Sequence, residues 1–308
     1  MGRVVVFGSI NLDTVLEVPH IAAPGETVGG FGLETFPGGK GGNQALAAHN
    51  AGADVCLVGK VGMDAAGQQM IDFYRGEGLP IDGIGNSELP TGAAFIQVER
   101  DGGENAIVVV AGANGDFTVA DADAVEIAPD DVIVAMFEVP IAVNEALFSR
   151  ARGIGAQTVL NPSPAHPCPP GLFASTTHLV LNETELAVLS GHPISETSSD
   201  GFIAAAVSAL EAPAGMVVVV TRGPGGARGF AAGDVIPMPG RRVDAVDTTG
   251  AGDCFTGVYA ARLAAGDDVE TAMIYANAAA AISVTRPGAA TSLPTHAEIE
   301  SLLRRKWS

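Results

Sequence analysis

Short apolar runs rich in β-branched residues recur along the first 221 residues, and stretches of helical length separate them. Runs that are apolar at nearly every position are typical of strands covered on both faces. Their alternation with helices predicts an α/β fold with a doubly wound, mainly parallel sheet flanked by helices. The predicted strands are 4–7, 55–58, 132–136, 158–160, 179–181 and 217–221.

The predicted core continues after residue 221, where two short strands punctuated by glycine precede a helical C-terminal part. The first group of predicted helices is 43–50, 66–76, 141–152, 183–190 and 199–211. The later elements are strands 227–231 and 235–237, followed by helices 251–264, 268–285 and 296–304. We therefore assign residues 1–13, 37–90 and 111–308 to one core.

Two segments break the alternation. Residues 14–36 are extended, and residues 91–110 predict a hairpin of strands 93–99 and 105–110 joined by residues 100–104. Together they predict a small β-sheet that stands off the core and acts as a lid. The alternative is an edge hairpin packed on the core.

The charge balance limits the partners. Sixteen Lys and Arg against 35 Asp and Glu give a net charge of −19, which disfavours nucleic acid and anionic membranes as partners. A phosphate site must then be built from backbone amides and few cations. The acidity is also compatible with a saline source.

Compartment signals point to the cytoplasm. No apolar run is long enough to span a bilayer, and the first residues lead directly into a strand rather than a signal peptide. Three cysteines without CxxC spacing indicate reduced thiols and no zinc site.

The segment from Asp247 to Asp253 carries the sharpest chemical signal. Small residues at 250–252 open a predicted helix, so several N–H groups converge at its positive end and form an anion site. A carboxylate there suits a base that faces a hydroxyl about to attack the anion, which describes phosphoryl transfer to an alcohol. The alternative is that Asp253 only caps its helix.

Polar residues after the first strand indicate a polyol site. Asn11 and Asp13 offer a carboxylate and an amide to neighbouring hydroxyls, although both types also occupy ordinary turns. The glycine-rich cluster 38–44 begins a helix and lacks Walker A spacing. It either forms a tight turn between strand and helix or lets the backbone approach a small ligand, with Asn43 contacting a hydroxyl of that ligand. No GxGxxG fingerprint follows a strand, which argues against a dehydrogenase.

Three further features suit a nucleotide and its metal. Residues 221–226 follow a strong strand and form a backbone-rich surface for a polyphosphate or base, or a turn without function. Asn182 and Glu185 follow another strand and suit water around a magnesium ion that bridges phosphates. Glu138 adds a polar group at the same edge of the sheet.

These segments occur in one order, from Gly-Ser-Ile-Asn-Leu-Asp at 8–13 through Asp-Thr-Thr-Gly-Ala-Gly-Asp at 247–253 to Thr-Arg-Pro-Gly-Ala at 285–289. In that order they resemble the ribokinase-like sugar kinases, also called the phosphofructokinase-B family. Within this family the ribokinases are the most similar. The segments that indicate them are Pro-Gly-Glu-Thr at 24–27, Gly-Gly-Lys-Gly at 38–41, Ala-Gly-Ala-Asn at 111–114, Asn-Pro-Ser-Pro-Ala at 161–165 and Asn-Glu-Thr-Glu at 182–185.

The resemblance implies ATP-dependent transfer of the γ-phosphate to a sugar hydroxymethyl group, with Mg²⁺ and a monovalent cation, usually K⁺. It makes Asp253 the base and the amides of Gly250, Ala251 and Gly252 the anion hole. The sugar contacts it implies are Asn11, Asp13, Gly39, Lys40, Asn43, Glu138 and Asp253. The nucleotide contacts are Asn182, Glu185, Thr221, Arg222, Gly223, Pro224, Gly225, Gly226, Gly252 and Asn277. The K⁺ site comprises Asp247, Thr249, Ser283, Arg286, Gly288 and Ser292, several through carbonyls. It also implies a homodimer paired through the lid.

The chain departs from the family pattern at three positions. Asn277 stands where His is frequent, Gly42 where Ala is usual, and Cys254 where Thr or Ser is common. The first departure leaves the adenine contact open, and none removes a catalytic group.

The sparse cations favour a neutral sugar. Lys40 alone lies within a substrate motif, with Arg100 on the predicted lid as a further candidate. We expect ribose first, then another neutral sugar such as fructose, deoxyribose or 2-keto-3-deoxygluconate. A nucleoside comes third. Its base would need an apolar slot, which Phe95 and Ile96 would either line or narrow. The alternative from another class is a non-catalytic protein that binds sugar or nucleotide.

Overall fold

The computed structural model describes residues 2–100, 104–195 and 197–305. The strands are β1 (Val4–Phe7), β2 (Asn11–Val18), β3 (Gly32–Gly38), β4 (Val55–Gly62), β5 (Ile84–Ser87), β6 (Gly92–Glu99), β7 (Asn105–Val110), β8 (Val132–Met136), β9 (Gln157–Asn161), β10 (His178–Asn182), β11 (Val217–Thr221), β12 (Ala227–Ala231) and β13 (Asp234–Met238). The helices are α1 (Lys40–Asn50), α2 (Ala65–Gly76), α3 (Val119–Ala124), α4 (Ile141–Ile154), α5 (Pro170–Ala174), α6 (Glu183–Ser190), α7 (Asp200–Ala209), α8 (Ala251–Ala264), α9 (Val269–Ser283) and α10 (His296–Arg304).

Within the described ranges, nine strands form a large sheet in the order β13-β12-β11-β10-β9-β8-β1-β4-β5. The strands from β11 to β5 run parallel, whereas β12 and β13 are antiparallel. Alternate residues of β1 pack into different hydrophobic cores, Val4 and Val6 on one face and Val5 and Phe7 on the other. The doubly wound fold expected from the apolar runs is therefore confirmed.

The element boundaries differ from the predicted ones mainly at short or polar segments. Helix α1 begins at Lys40 rather than at residue 43, because Glu138 accepts a hydrogen bond from the Lys40 N–H and extends the helix. Strand β5 and helices α3 and α5 have four, six and five residues, too few to show a period in the sequence.

Strands β3, β2, β6 and β7 form the second sheet in that order, which we call the lid sheet. The predicted pairing of strands 93–99 and 105–110 is present, with Ala93 opposite Val110. Neighbouring residues Ile107 and Val108 point to opposite faces and are 55% and 60% exposed. The sheet therefore stands off the core at this end and is not an edge hairpin packed on it.

Strand β2 starts at Asn11, so the lid sheet begins three residues before the predicted boundary. Asn11 and Asp13 thus belong to this strand and not to a turn after β1. Part of the predicted hairpin loop, residues 101–103, lies outside the described residues. None of the helices in the described chain is long and apolar enough to cross a membrane.

Candidate functional site

The N-terminus of α8 forms the predicted amide cradle. Gly250 precedes the helix with φ +73°, and a Cβ at this position would meet Ala289 Cβ at 2.8 Å. Both the backbone angle and the close contact require glycine. The Ala251 N–H donates to Thr248 O at 3.3 Å, whereas the hydrogen bonds of the described chain leave the Gly252 and Asp253 amides unused. Those two amides are therefore available to an anion, whereas the Ala251 amide is engaged in a long hydrogen bond, and the anion hole stays a prediction.

Asp253 lies in the first turn of α8, where its side chain is buried. Its Oδ2 accepts a hydrogen bond from Asn43 Nδ2 at 3.1 Å, and its Oδ1 accepts one from Gln44 Nε2 at 2.9 Å. Both amides come from α1. The Asp253 side chain is thus directed at α1 and does not cap its own helix, which answers the alternative left open by the sequence.

Lys40 lies among carboxylates. The nearby Asp253 carboxylate raises the pKa of Lys40, and Glu138, Glu185 and Asp13 add to this effect against the opposing influence of burial. Glu138 also holds the start of α1, because its Oε2 accepts from Ser9 Oγ at 2.5 Å and from the Lys40 N–H at 2.9 Å. The positive charge of Lys40 is therefore shared by four carboxylates.

Asp13 extends from β2 toward this group. Burial, together with a smaller contribution from the negative charge of Glu138, raises its pKa to about 6. Its Oδ1 is buried and has no hydrogen-bond partner in the described chain, as is also true of Asn43 Oδ1. Buried polar atoms are normally paired, so these two acceptors are suited to the hydroxyls of a ligand. Asn11 is engaged differently, because its Oδ1 accepts from Asn114 Nδ2 at 2.7 Å.

The glycine cluster at 38–42 allows close packing within the protein. A Cβ at Gly39 (φ +85°) would meet Asn11 N at 2.7 Å, and a Cβ at Gly41 would meet the backbone of Gly8 at 2.5 Å. A Cβ at Gly42 would meet the Tyr74 hydroxyl at 1.9 Å, which explains why glycine replaces the usual alanine of the family here. These glycines bring α1 against the first strands and thereby place Lys40 and Asn43.

Asp253 lines a cleft of about 160 Å³, which Asn182 and Glu185 also line. These two residues form a capping box, in which Asn182 Oδ1 accepts the Glu185 N–H at 2.9 Å and Glu185 Oε2 accepts the Asn182 N–H at 2.8 Å. Burial raises the pKa of Glu185 despite that hydrogen bond. The other lining residues are Lys40, Asn161, Ser163, Val180, Leu181, Thr221, Gly250, Gly252 and Thr256.

A second cavity of about 710 Å³ adjoins the first, since Asn182, Thr221 and Gly252 line both. Of the residues predicted to contact a nucleotide, Gly223, Pro224, Gly226 and Asn277 line this cavity, together with apolar residues of α8 and α9. Asn277 Nδ2 donates to Pro239 O at 3.0 Å.

Arg222 and Gly225 are not part of this lining. The Arg222 guanidinium lies near Glu183 and Asp200, 2.6 Å from Asp200 Oδ1. Arg222 is engaged in these ion pairs and does not line the cavity, so its direct contact with a nucleotide stays a prediction.

The loops that contain the predicted monovalent-cation residues lie together behind the cradle. Asp247 accepts the Thr249 N–H at 2.9 Å and the Gly288 N–H at 2.8 Å. Although burial opposes ionisation, these hydrogen bonds lower the pKa of Asp247. The Arg286 side chain pairs with Glu298 at 2.5 Å, so only its carbonyl can serve a cation. The buried Ser283 and Ser292 hydroxyls donate to carbonyls of Ala280 and Ala289.

Two residues considered for the acceptor site are placed differently. Ile96 pairs with Val15 and so shares the face of Asp13, whereas Phe95 pairs with Thr14 and points to the opposite face. Phe95 therefore cannot line a slot beside Asp13. Arg100 is paired with Glu17 at 2.6 Å.

Comparison with known proteins agrees with this geometry. Residues 1–296 match the model of the pfkB family carbohydrate kinases. The chain belongs to this family. A ribokinase of Haemophilus influenzae is 36% identical over 297 residues, which cover 95% of each chain.

Two further members of the family extend the comparison. A bifunctional ribokinase/ribose-5-phosphate isomerase A of Fructilactobacillus sanfranciscensis is 35% identical over 99% of this chain, and this chain spans 57% of its length. The structure of Arabidopsis thaliana ribokinase complexed with ribose and ATP superimposes with a TM-score of 0.88 at 29% identity, covering 100% of both chains.

Sequence reasoning missed Gln44 and gave Asn161 no role, although both belong to the polar group around Asp253. Gln44 Nε2 donates to Asn161 Oδ1 at 3.1 Å as well as to Asp253. A signal was present, because Gln44 lies beside Asn43 in a helix whose residues 45–48 are all apolar. A polar side chain among such residues is buried and needs a polar partner.

Proposed function

We propose that the protein is an ATP-dependent ribose kinase, which transfers the γ-phosphate to the hydroxymethyl group and yields ribose 5-phosphate. One observation carries the proposal: Asp253, held by α1, lies in a cleft that meets a nucleotide-sized cavity at Gly252. An alcohol beside Asp253 and a triphosphate in the larger cavity would meet at the free amides of α8.

Asp253 acts as the general base. The transition state of phosphoryl transfer is loose, so the attacking hydroxyl loses its proton late and a carboxylate suffices to accept it. The Gly252 and Asp253 amides stabilise the charge on the transferred group without having to reorganise. Most of the acceleration then comes from positioning the hydroxyl and the phosphate in line.

The residues fit a magnesium ion beside Asn182 and Glu185 in the cleft that Asp253 also lines. Asp13, Glu138, Asp253 and Glu185 outnumber Lys40 in this part of the site, so a divalent cation here would offset the repulsion between these carboxylates and a γ-phosphate. Asn182 and Glu185 would hold the ion through water, as oxygen ligands suit Mg²⁺. When bound, the magnesium ion would neutralise part of the negative charge of the phosphates.

The residues also fit a potassium ion. Asp247 would supply a carboxylate, and the carbonyls of Thr249, Arg286 and Gly288 and the hydroxyl oxygens of Ser283 and Ser292 would supply further oxygen ligands. The ion supplies positive charge behind the cradle. We propose that it orders the Gly250 turn, which lies against Ala289 of the loop after α9.

The charges support a neutral sugar. Lys40 is surrounded by four carboxylates and Arg100 is paired with Glu17, so neither is placed to bind a phosphate already on the sugar. Asp13 and Asn43 offer their buried oxygens to ribose hydroxyls instead. Asn11, Gly39, Lys40 and Glu138 complete the proposed sugar site.

We assign the nucleotide to Asn182, Thr221, Gly223, Pro224, Gly226, Gly252 and Asn277, which line the larger cavity. Residues 14–36 and 91–110, with the strand from Asn11, act as the lid over the sugar. Exposed apolar residues on one lid face, Leu33 and Val108 among them, support pairing of two lids in a homodimer. The proposed compartment is the cytoplasm.

The test is a coupled assay of ADP release with ribose, fructose, deoxyribose, 2-keto-3-deoxygluconate and adenosine, each with and without potassium. We expect the highest kcat/KM for ribose, ADP release that requires added sugar, and a faster rate with potassium. If no acceptor gives rise to ADP release, the protein is a non-catalytic binding protein. A preference for adenosine would contradict the sugar assignment.

A further inference from the structure

Gln44 connects Asp253 to the end of the parallel sheet. Its side chain is fully buried, and its Nε2 donates to Asp253 Oδ1 at 2.9 Å and to Asn161 Oδ1 at 3.1 Å. Asn161 Nδ2 in turn donates to Val180 O at 2.9 Å. A chain of side-chain amides thus runs from a backbone carbonyl of β10 through β9 and α1 to the carboxylate.

The two ends of this chain fix the orientation of both amides. A backbone carbonyl and an ionised carboxylate only accept hydrogen bonds, so Asn161 must present Nδ2 to Val180 and Oδ1 to Gln44. The Gln44 NH₂ group then meets two acceptors and uses both of its N–H bonds. A flipped Gln44 would place Oε1 against two oxygens, which disfavours that orientation although Oε1 now has no partner in the described chain.

Close packing of α1 on α8 supports this contact. A Cβ at Gly257 would meet Gln44 O at 2.2 Å and Ala47 Cβ at 2.8 Å. Gly257 lies four residues after Asp253, so both residues occupy the same face of α8. The absent side chain at 257 therefore lets Gln44 approach the carboxylate.

We propose that Gln44 is a positioning residue for phosphoryl transfer, which holds the Asp253 carboxylate in the plane that aims it at the sugar hydroxyl. Asn43 holds Oδ2 and Gln44 holds Oδ1, so rotation of the carboxylate would break both hydrogen bonds. Each oxygen keeps a second lone pair, and one of these accepts the proton of the hydroxyl. The proposal rests on the proposed role of Asp253 as the base.

The first test replaces Gln44 by Met, which keeps the approximate length and volume but has no N–H donor. We expect kcat to fall about 10- to 100-fold, the scale of a misplaced catalytic group, with KM for ribose and ATP within about twofold. The matched control is Gln68→Met, because Gln68 donates to Asp72 at 2.9 Å on the exposed surface of α2. Its kcat should remain that of the parent protein.

The second test is the pH profile of Gln44→Glu, which also serves if Gln44→Met folds poorly. A glutamate at position 44 donates to Asp253 only while it is protonated, and the Asp253 charge favours its protonated form. The ratio of its kcat to that of the parent protein should rise at least about fivefold as the pH falls from 8.5 to 6, as protonation restores the donor. A purely structural role predicts a constant ratio.

The Asp253→Asn variant distinguishes the role of Asp253 as the base from the role of Gln44 in positioning it. If Asp253→Asn keeps the parent rate, the base assignment itself is wrong. If Asp253→Asn is inactive while Gln44→Met keeps its kcat or changes only KM, the positioning role is overturned and the base assignment stands. A constant Gln44→Glu ratio across the pH range also overturns the positioning role.

Discussion

The carboxylate of Asp13 lies so close to Gly38 that a Cβ at position 38 would stand 2.1 Å from Asp13 Oδ2. The two residues lie on the paired strands β2 and β3, and the Asp13 carboxylate lies near those of Glu138 and Asp253. Glycine at position 38 therefore determines where the Asp13 side chain can lie. This explains one glycine of the cluster without any contact between that glycine and a ligand.

Gly38→Ala should impair sugar binding. The added methyl group must displace the Asp13 carboxylate, so we expect KM for ribose to rise about tenfold or more, the scale of one lost charge-assisted hydrogen bond. KM for ATP should stay unchanged. Gly32→Ala on the same strand is the control, since its Cβ would meet only Glu17 Oε2 at 3.7 Å. Equal KM values for the two variants would contradict the proposed role of Asp13.

Asp13→Asn should stabilise the ligand-free protein at neutral pH. The pKa of Asp13 is about 6 in the folded protein against 3.8 ordinarily, so folding favours its protonated form. Protonation of Asp13 therefore stabilises the folded state fully below about pH 4, and this stabilisation is lost as the pH rises through about 6. Above pH 6 the ionised group costs up to roughly 3 kcal/mol relative to a neutral one.

Thermal unfolding of the parent protein and Asp13→Asn at pH 5 and pH 8 measures this difference. The variant should have a Tm several degrees higher at pH 8, and this gain should shrink at pH 5. A Tm difference that does not vary with pH would contradict a raised pKa of Asp13 in the folded protein.

Gly250→Ala should disturb both the cradle at the start of α8 and the loop that contains Ala289. Alanine pays about 1–2 kcal/mol for the left-handed backbone at φ +73°, and its Cβ also meets Ala289. We expect a lower free energy of unfolding and a fall in kcat of at least about tenfold. The second effect arises because the displaced α8 amides would no longer stabilise the transferred phosphoryl group. Chemical denaturation and steady-state kinetics measure the two effects.

Gly266→Ala is the control for this change. Gly266 has φ +89° at the exposed end of α8, and a Cβ there would meet nothing within 4 Å. This variant should show the backbone cost alone and keep its kcat. If both variants lose activity equally, contact with Ala289 does not explain the Gly250 effect.

The sequence predicts those parts of the fold that local patterns specify. Apolar runs at 4–7, 132–136 and 217–221 are buried strands because strands covered on both faces have no polar positions. Strand β5 and helix α3 escaped prediction because four and six residues are too few to show a period. The early start of β2 escaped it because Asn11 and Asp13 are polar types more frequent in turns.

The site was predictable where a motif places several groups at one helix terminus, and less so where contacts join distant segments. Asp253 and Gly252 followed from the 247–253 segment alone. The hydrogen bond from Gln44 spans 209 residues of sequence, and no local pattern specifies it. The turning of Arg222 toward Asp200 likewise depends on α7, which a reading of the 221–226 loop does not include.

The turnover of Asp253→Asn with ribose and ATP tests the central claim most directly. The substitution preserves the side-chain shape but removes the proton acceptor, so the variant should bind ATP with a Kd within about threefold of the parent while kcat falls at least about a hundredfold. A kcat within about threefold of the parent value would show that Asp253 is not the base.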